Sequence, residues 1–141
     1  MIVKFYDQVE DEKLKFAVIA ARAEGKWVFC KHKARTTFEM PGGHREPGEP
    51  ILDTARRELQ EETGATAFDL QPVCVYSVTD PDNFDGAETY GLLCTARVHA
   101  FGPIDSEMEK IVLTADLPTQ WTYPQIQPKL LAELERHGVI Q

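Results

Sequence analysis

Cysteine is scarce in this chain, three in 141 residues, and no two of the three form a CxxC pair. Cys30, Cys74 and Cys94 each fall inside an apolar run. That excludes a disulfide framework and offers no metal-like spacing, so they read as buried, reduced thiols that pack as small hydrophobes. No apolar stretch approaches the roughly 20 residues of a membrane-spanning helix. The opening Met1-Ile2-Val3-Lys4-Phe5-Tyr6 lacks the layout of a signal peptide, and a cytoplasmic protein is the expectation. Positive charge is also short, with 15 Lys and Arg against 23 Asp and Glu and a formal net charge of −8. Such a surface disfavours a nucleic-acid polymer or an anionic membrane as partner, but not a small anion bridged to the protein by metal. Repeats, low-complexity tracts and linkers are missing too, so residues 1–141 are expected to form a single domain, as a monomer or a homodimer.

What is present is a run of strand and helix signals. Phe16 to Ala21 reads as a buried strand, Glu24-Gly25 as a turn, and Trp27 to Cys30 as the hairpin partner. Thr36 to Met40 suggests a shorter strand halted by Pro41-Gly42-Gly43. Further strands fit Leu70 to Val78, Tyr90 to His99 and Lys110 to Thr114. Pro124 to Arg136 has a helical apolar period in Ile126, Leu130, Leu131 and Leu134, closed by His137-Gly138. A second helix follows Pro50, which suits a first turn. Its apolar stripe is Leu52, Ala55 and Leu59, and Gly64 gives it a left-handed stop. Strands, helix, strands, helix predicts a mixed α+β (α/β) fold with helices packed on a sheet.

That second helix carries an oddity. Glu58, Glu61 and Glu62 stand at i, i+3 and i+4, so their carboxylates share one side, and like charges at this spacing cost a few tenths of a kcal/mol each. Arg57 relieves Glu61, its own i+4 partner, but cannot neutralise three. A solvated acidic face is one reading. The other is a site for a hard divalent cation, for which carboxylate oxygens suit Mg²⁺ or Mn²⁺. The preceding loop bears on the choice, because Pro41-Gly42-Gly43 and Gly48 permit sharp turns that can bring Glu49 to face the later glutamates.

From Gly43 to Ala65 the chain reads G-x5-E-x7-R-E-L-x-E-E-x-G-A, which resembles the complete Nudix box of the Nudix hydrolases. Its specified positions are Gly43, Glu49, Arg57, Glu58, Glu61, Glu62 and Gly64, with Leu59 and Ala65 at the apolar ones. Ala65 is smaller than the aliphatic residue often found there. The resemblance implies an α/β/α sandwich built on a mixed sheet. It also implies Mg²⁺-dependent hydrolysis of a nucleoside diphosphate linked to a further moiety, with Mn²⁺ as a substitute metal. Carried over by position, Glu58, Glu61 and Glu62 hold the metal, Glu49 helps, and Arg57 orients the glutamates. In the family the general base varies, being a box glutamate in some members and a distant one in others. The candidates here are Glu58 and Glu107, followed by Glu88 and Glu109.

Substrate contacts are less defined. The resemblance places a basic residue at the end of the strand before the box on substrate phosphate, which selects Lys31 or Arg35. The Gly42-Gly43 backbone is expected beside the substrate. Phe38 or Trp27 can stack on a base, although aromatics in strands more often fill a core. Tyr123-Pro124 before the last helix resembles members that hydrolyse (oxidised) nucleoside triphosphates to monophosphate and pyrophosphate, and this is the expected activity. Pro81, 16 residues after the box, resembles the ADP-ribose branch and supports the alternative of an ADP-ribose or nucleotide-sugar pyrophosphatase. A non-catalytic ligand sensor on the same fold is the alternative of a different class, against which stands the full set of box glutamates.

Overall fold

Alternation along one strand explains the layering. In β2 (Leu14–Ala23), Ala17, Ile19, Ala21 and Ala23 join one apolar cluster, while Phe16, Val18 and Ala20 join a second on the opposite face. A strand with apolar residues on both faces must be covered on both. The computed structural model describes residues 1–82, 86–104 and 108–139, apart from the side chains of Met108 and Glu109. The described strands are β1 (Ile2–Tyr6), β2, β3 (Lys26–His32), β4 (Gly42–His44), β5 (Ala65–Thr79), β6 (Glu88–Phe101) and β7 (Met108–Thr114). They form a seven-stranded mixed sheet in the order β1-β5-β6-β2-β3-β7, with β4 paired to β2. The β2–β6 pair is parallel and the other pairs are antiparallel.

Two helices supply the cover. On α1 (Ile51–Thr63), Ala55 and Leu59 are fully buried in the first cluster, and Leu52 packs at its margin. On α2 (Gln127–Arg136), Leu130, Leu131 and Leu134 enter the second cluster with Phe29, Tyr76 and Leu93. Fully burying a Leu is worth about 1.5–3 kcal/mol, so each face is held mainly by such residues. The expected sandwich of helices on a mixed sheet is what forms. All three cysteines are buried and unpaired with one another. No helix among the described residues is long and apolar enough to cross a membrane.

The structure departs from the sequence reading at several elements. Thr36 to Met40 is not a strand. Phe38 and Glu39 make only isolated bridges, to Trp121 and Cys30. The short strand instead lies at Gly42–His44, just where a turn was expected, because long β2 offers it a partner at Phe16 to Val18. β1 was not anticipated; it pairs with the far end of β5. α2 begins at Gln127 rather than Pro124, since Tyr123 to Ile126 is a turn closed by Ile126 N–H on the Tyr123 carbonyl at 3.2 Å. Pro50 stands at the N-cap of α1 with extended backbone (ψ 141°), and Gly64 takes the predicted left-handed C-cap at φ 75°.

Candidate functional site

β4 runs so close to α1 and β2 that its two glycines are required for space. A Cβ on Gly43 would lie 2.4 Å from Glu58 Cδ, and one on Gly42 would lie 2.5 Å from the Ala17 carbonyl oxygen. Neither has a positive φ; the left-handed turn in this loop is at Gly48, φ 74°. This approach lets Gly42 N–H donate to Glu62 Oε1 at 2.7 Å.

Arg57 is the hub of the box. Its Nε donates to Glu49 Oε2 (2.8 Å) and its Nη2 to Glu49 Oε1 (3.0 Å) and the His44 carbonyl (3.0 Å). Its Nη1 donates to Glu58 Oε1 at 2.7 Å and reaches Glu61 Oε2 at 3.4 Å. The i+4 contact to Glu61, the one expected from the sequence, is therefore the weakest of the three. Glu49 Oε1 also accepts from Thr54 Oγ1 at 2.6 Å and from Glu46 N–H at 3.2 Å. The loop does bring Glu49 back to the helix, but its carboxylate is committed to Arg57 and Thr54.

The charges do not balance around this hub. The Arg57 hydrogen bonds, aided by Thr54, hold Glu49 down to about 2. Burial pushes Glu62 up to about 8, opposed by the Gly42 N–H and reinforced by the charges of Glu58, Glu39 and Glu61. Burial raises Glu58 as well, with Arg57 pulling the other way and Glu61 adding to the rise. Glu58 and Glu62 thus sit where a carboxylate is hard to ionise without further positive charge.

Glu58, Glu62, Arg57, Gly42 and Gly43 line a cleft of about 960 Å³. Arg35, Glu39, Tyr76, Tyr123 and Gln127 line it as well. Arg35 Nη1 donates to Glu39 Oε1 at 3.1 Å and to Tyr123 Oη at 3.4 Å, and its guanidinium lies 5.7 Å from the Tyr123 ring centroid. The cleft is therefore acidic at one side and carries a guanidinium beside an aromatic ring at another. The remaining sequence-predicted contacts fall elsewhere. Lys31, opposite Lys110 in the β3–β7 pair, and Phe38, packed on the second apolar cluster, are not among the lining residues. Trp27 is buried with Arg22 stacked on it at 4.5 Å. Asp80 lines the cleft, whereas Pro81 does not. Glu107 lies outside the described residues, as does the Glu109 side chain. Glu88 accepts from Tyr6, Ser77 and Tyr90 at 2.6, 2.5 and 2.8 Å and does not face the cleft.

Glu39 escaped the sequence reading. It is 7% exposed, its charge reaches Glu62, and it holds Arg35. Its one local signal is the i+4 spacing from Arg35. Its place beside α1 depends on the bridge to Cys30, which no local pattern encodes.

Comparison with known proteins agrees with this geometry. The NUDIX domain matches residues 11–134. A proposed 8-oxo-dGTP diphosphatase of Bacillus subtilis (strain 168), YtkD, is 37% identical over 76 residues, which is 54% of this chain and 48% of that protein. An ADP-ribose pyrophosphatase of the same organism is 44% identical over 64 residues, 43% of this chain and 35% of that one. The matched segments thus span half or less of these relatives. Among solved structures, the B. subtilis pyrophosphohydrolase BsRppH superposes with a TM-score of 0.79 at 24% identity, covering 99% of this chain and 93% of that one. That likeness speaks for the fold.

Proposed function

This chain belongs to the NUDIX domain family, and on that premise we propose that it hydrolyses the diphosphate linkage of a small nucleotide with the help of Mg²⁺, which Mn²⁺ can replace. The observation that carries the proposal is Glu58 and Glu62 in the cleft lining, with Glu61 on the same side of α1 and linked to Glu58 through the Arg57 guanidinium. The donor set fits the metal. It offers oxygens only, in a partly buried site where burial, reinforced by the neighbouring carboxylates, drives Glu62 up to about 8. Mg²⁺ keeps several waters and binds through a few carboxylates plus substrate phosphate, so an incomplete protein shell suits it. Held by Glu58, Glu61 and Glu62, it would supply charge neutralisation for phosphate oxygens and acidify water.

The chain's own residues supply the rest. Arg57 fixes Glu58 through Nη1 and is itself fixed by the Glu49 carboxylate, which Thr54 orients. Glu49 thereby acts as a positioning residue. The Gly42 N–H sets the rotamer of Glu62. Glu58 Oε2, the oxygen not held by Arg57, is one candidate to take the proton of the attacking water, and Glu107 is the other. A positioned base contributes about 10²–10⁴-fold. Arg35, parked on Glu39 and Tyr123, is within the cleft to bind a phosphate.

For substrate, we favour a nucleoside triphosphate, ordinary or oxidised, cleaved to monophosphate and pyrophosphate. Tyr123 in the cleft beside Arg35 supports it, as does the match to the proposed 8-oxo-dGTP diphosphatase. The match to an ADP-ribose pyrophosphatase favours the second reading. A panel of nucleoside triphosphates, 8-oxo-dGTP and ADP-ribose, with products identified, separates them. The expected result is a kcat/KM for at least one triphosphate tenfold above that for ADP-ribose, about 1.4 kcal/mol of transition-state discrimination. Preference for ADP-ribose with AMP as product reverses the choice, and no hydrolysis of any of them favours a binding role.

A further inference from the structure

Outside the cleft, Cys, Glu and His side chains come together in one group of three among the described residues. Cys74 of β5 and Glu133 and His137 of α2 bring one ligand atom each to within 4.8 Å of one another. None of the three lines the cleft. We propose that Cys74, Glu133 and His137 form a second metal site, selective for Zn²⁺, that fastens the C-terminal end of α2 to the sheet.

Several features support this assignment. Glu133 and His137 are one helical turn apart, so their side chains stand side by side, and His137 Nε2 already lies 3.1 Å from Glu133 Oε2. Cys74 and Glu133 are 3% and 8% exposed, while His137 is the open member through which an ion can enter. The β5–β6 register slips between Pro72 and Cys74. Such a bulge re-aims the side chains that follow it, and this one presents Cys74 to the cluster that holds Leu130 and Leu134. Arg136 grips Glu133 through Nε on Oε1 and Nη2 on Oε2, at 2.8 and 2.7 Å, which fixes the carboxylate plane. A carboxylate has about four lone-pair positions, and Oε1 takes only the Arg136 Nε bond, so room for a metal remains there. The negative, C-terminal end of the α2 dipole favours a cation there. The charges that reach Cys74 are those of Glu133, Arg136 and Asp7, two negative and one positive.

The donor set selects the metal. One thiolate, one imidazole and one carboxylate is a mixed soft set that Zn²⁺ takes in tetrahedral sites, with water in the fourth position, and that Mg²⁺ does not. Zn–ligand bonds of about 2.0–2.3 Å put ligand atoms about 3.5 Å apart, a closure of roughly 1 Å that rotamer adjustment provides. On binding, the Cys74 thiol gives its proton to water as the S–Zn bond forms, and no electron changes hands. The other cysteines lack such company: Cys30 donates to the Glu62 carbonyl at 3.6 Å, and Cys94 is sealed in the first cluster. The site owes nothing to the proposed hydrolysis and stands or falls separately.

The test is a Co²⁺ titration of the purified, metal-stripped full chain in excess Mg²⁺, followed by absorption. Thiolate ligation gives a near-ultraviolet charge-transfer band that carboxylate sites cannot produce. We expect one equivalent of band, displaced by Zn²⁺, abolished in Cys74→Ser, and shifted at least tenfold to higher Co²⁺ in His137→Ala. His137 is exposed, so the second variant remains informative if the first fails to fold. Zn²⁺ should also raise Tm in wild type more than in His137→Ala. Absence of the band in wild type, its survival in Cys74→Ser, or identical titrations for wild type and His137→Ala would overturn the proposal.

Discussion

Adding one methyl group at Gly43 should disable the enzyme while leaving the fold standing. The Cβ of Gly43→Ala would lie 2.4 Å from Glu58 Cδ and 2.6 Å from each carboxylate oxygen. Ordinary contact begins near 3.4 Å, so the carboxylate must retreat by about 1 Å. Glu58 is tied to Arg57, which in turn holds Glu49 and Glu61, so the displacement spreads through the site. A misplacement of that size costs on the order of 10²-fold in rate, or about 2.7 kcal/mol. Stability should change little. Gly43 lacks a positive φ, and what it meets is the end of a side chain, so a loss of about 1 kcal/mol and a Tm drop of about 3–5 °C is expected. Gly42→Ala is the contrast. Its Cβ would meet the Ala17 carbonyl at 2.5 Å, a backbone atom that cannot move aside, and overpacking of this kind costs about 1–3 kcal/mol. Initial rates on the best substrate, beside thermal melts, report both effects. A Gly43→Ala enzyme at wild-type rate, or one as unstable as Gly42→Ala, would refute the reasoning.

Three further outcomes follow from the same geometry. Glu62 is raised to about 8 in the metal-free fold against an ordinary value near 4.5. The folded state therefore holds a proton that the unfolded state has lost, and stability in chelator should fall between about pH 5 and pH 8. Glu62→Gln should flatten that decline in a melt series across this range, and a decline of equal slope in the variant would remove Glu62 as its source. Glu88 has the opposite sign: hydrogen bonds from Ser77, Tyr6 and Tyr90 hold it down to about 2. Its stabilisation is present above about pH 4.5 and lost as pH falls towards 2, so Glu88→Gln should lower Tm at pH 7, with much less effect near pH 2, and leave kcat within threefold. A large kcat loss with unchanged Tm would instead make Glu88 a catalytic group. Glu107→Gln should lower kcat with metal affinity nearly unchanged if Glu107 is the base, whereas Glu58→Gln should lose both rate and metal binding if Glu58 is. A Glu107→Gln enzyme within threefold of wild type eliminates Glu107.

The box helix was legible because its signals are local: an apolar stripe at Leu52, Ala55 and Leu59, a glycine stop at Gly64, and three glutamates whose spacing has one geometric meaning. The two-faced sheet was legible for the same reason in Phe16 to Ala21. What escaped depends on pairing between distant segments. Ile2–Tyr6 is a strand because Val75 to Thr79 passes beside it. Glu39 enters the cleft because Cys30 bridges to it, not because of its neighbours in sequence. Gly42 and Gly43 read as turn formers, yet they serve close approach, which only the third dimension shows. Lys31 was chosen by its place at the end of the strand before the box and Phe38 as an aromatic able to stack on a base, but neither is in the cleft lining, since which face a side chain takes is set by the fold.

The proposed role of Glu58, Glu61 and Glu62 is to hold a divalent cation. Its most direct measurement is kcat as a function of Mg²⁺ in wild type, Glu61→Gln and Glu62→Gln, with circular dichroism on each. Hydrolysis should stop with chelator and return with Mg²⁺ or Mn²⁺, and kcat should be at least 10²-fold lower in both variants with the fold intact. Hydrolysis that persists in chelator, or full activity in either variant, would contradict it.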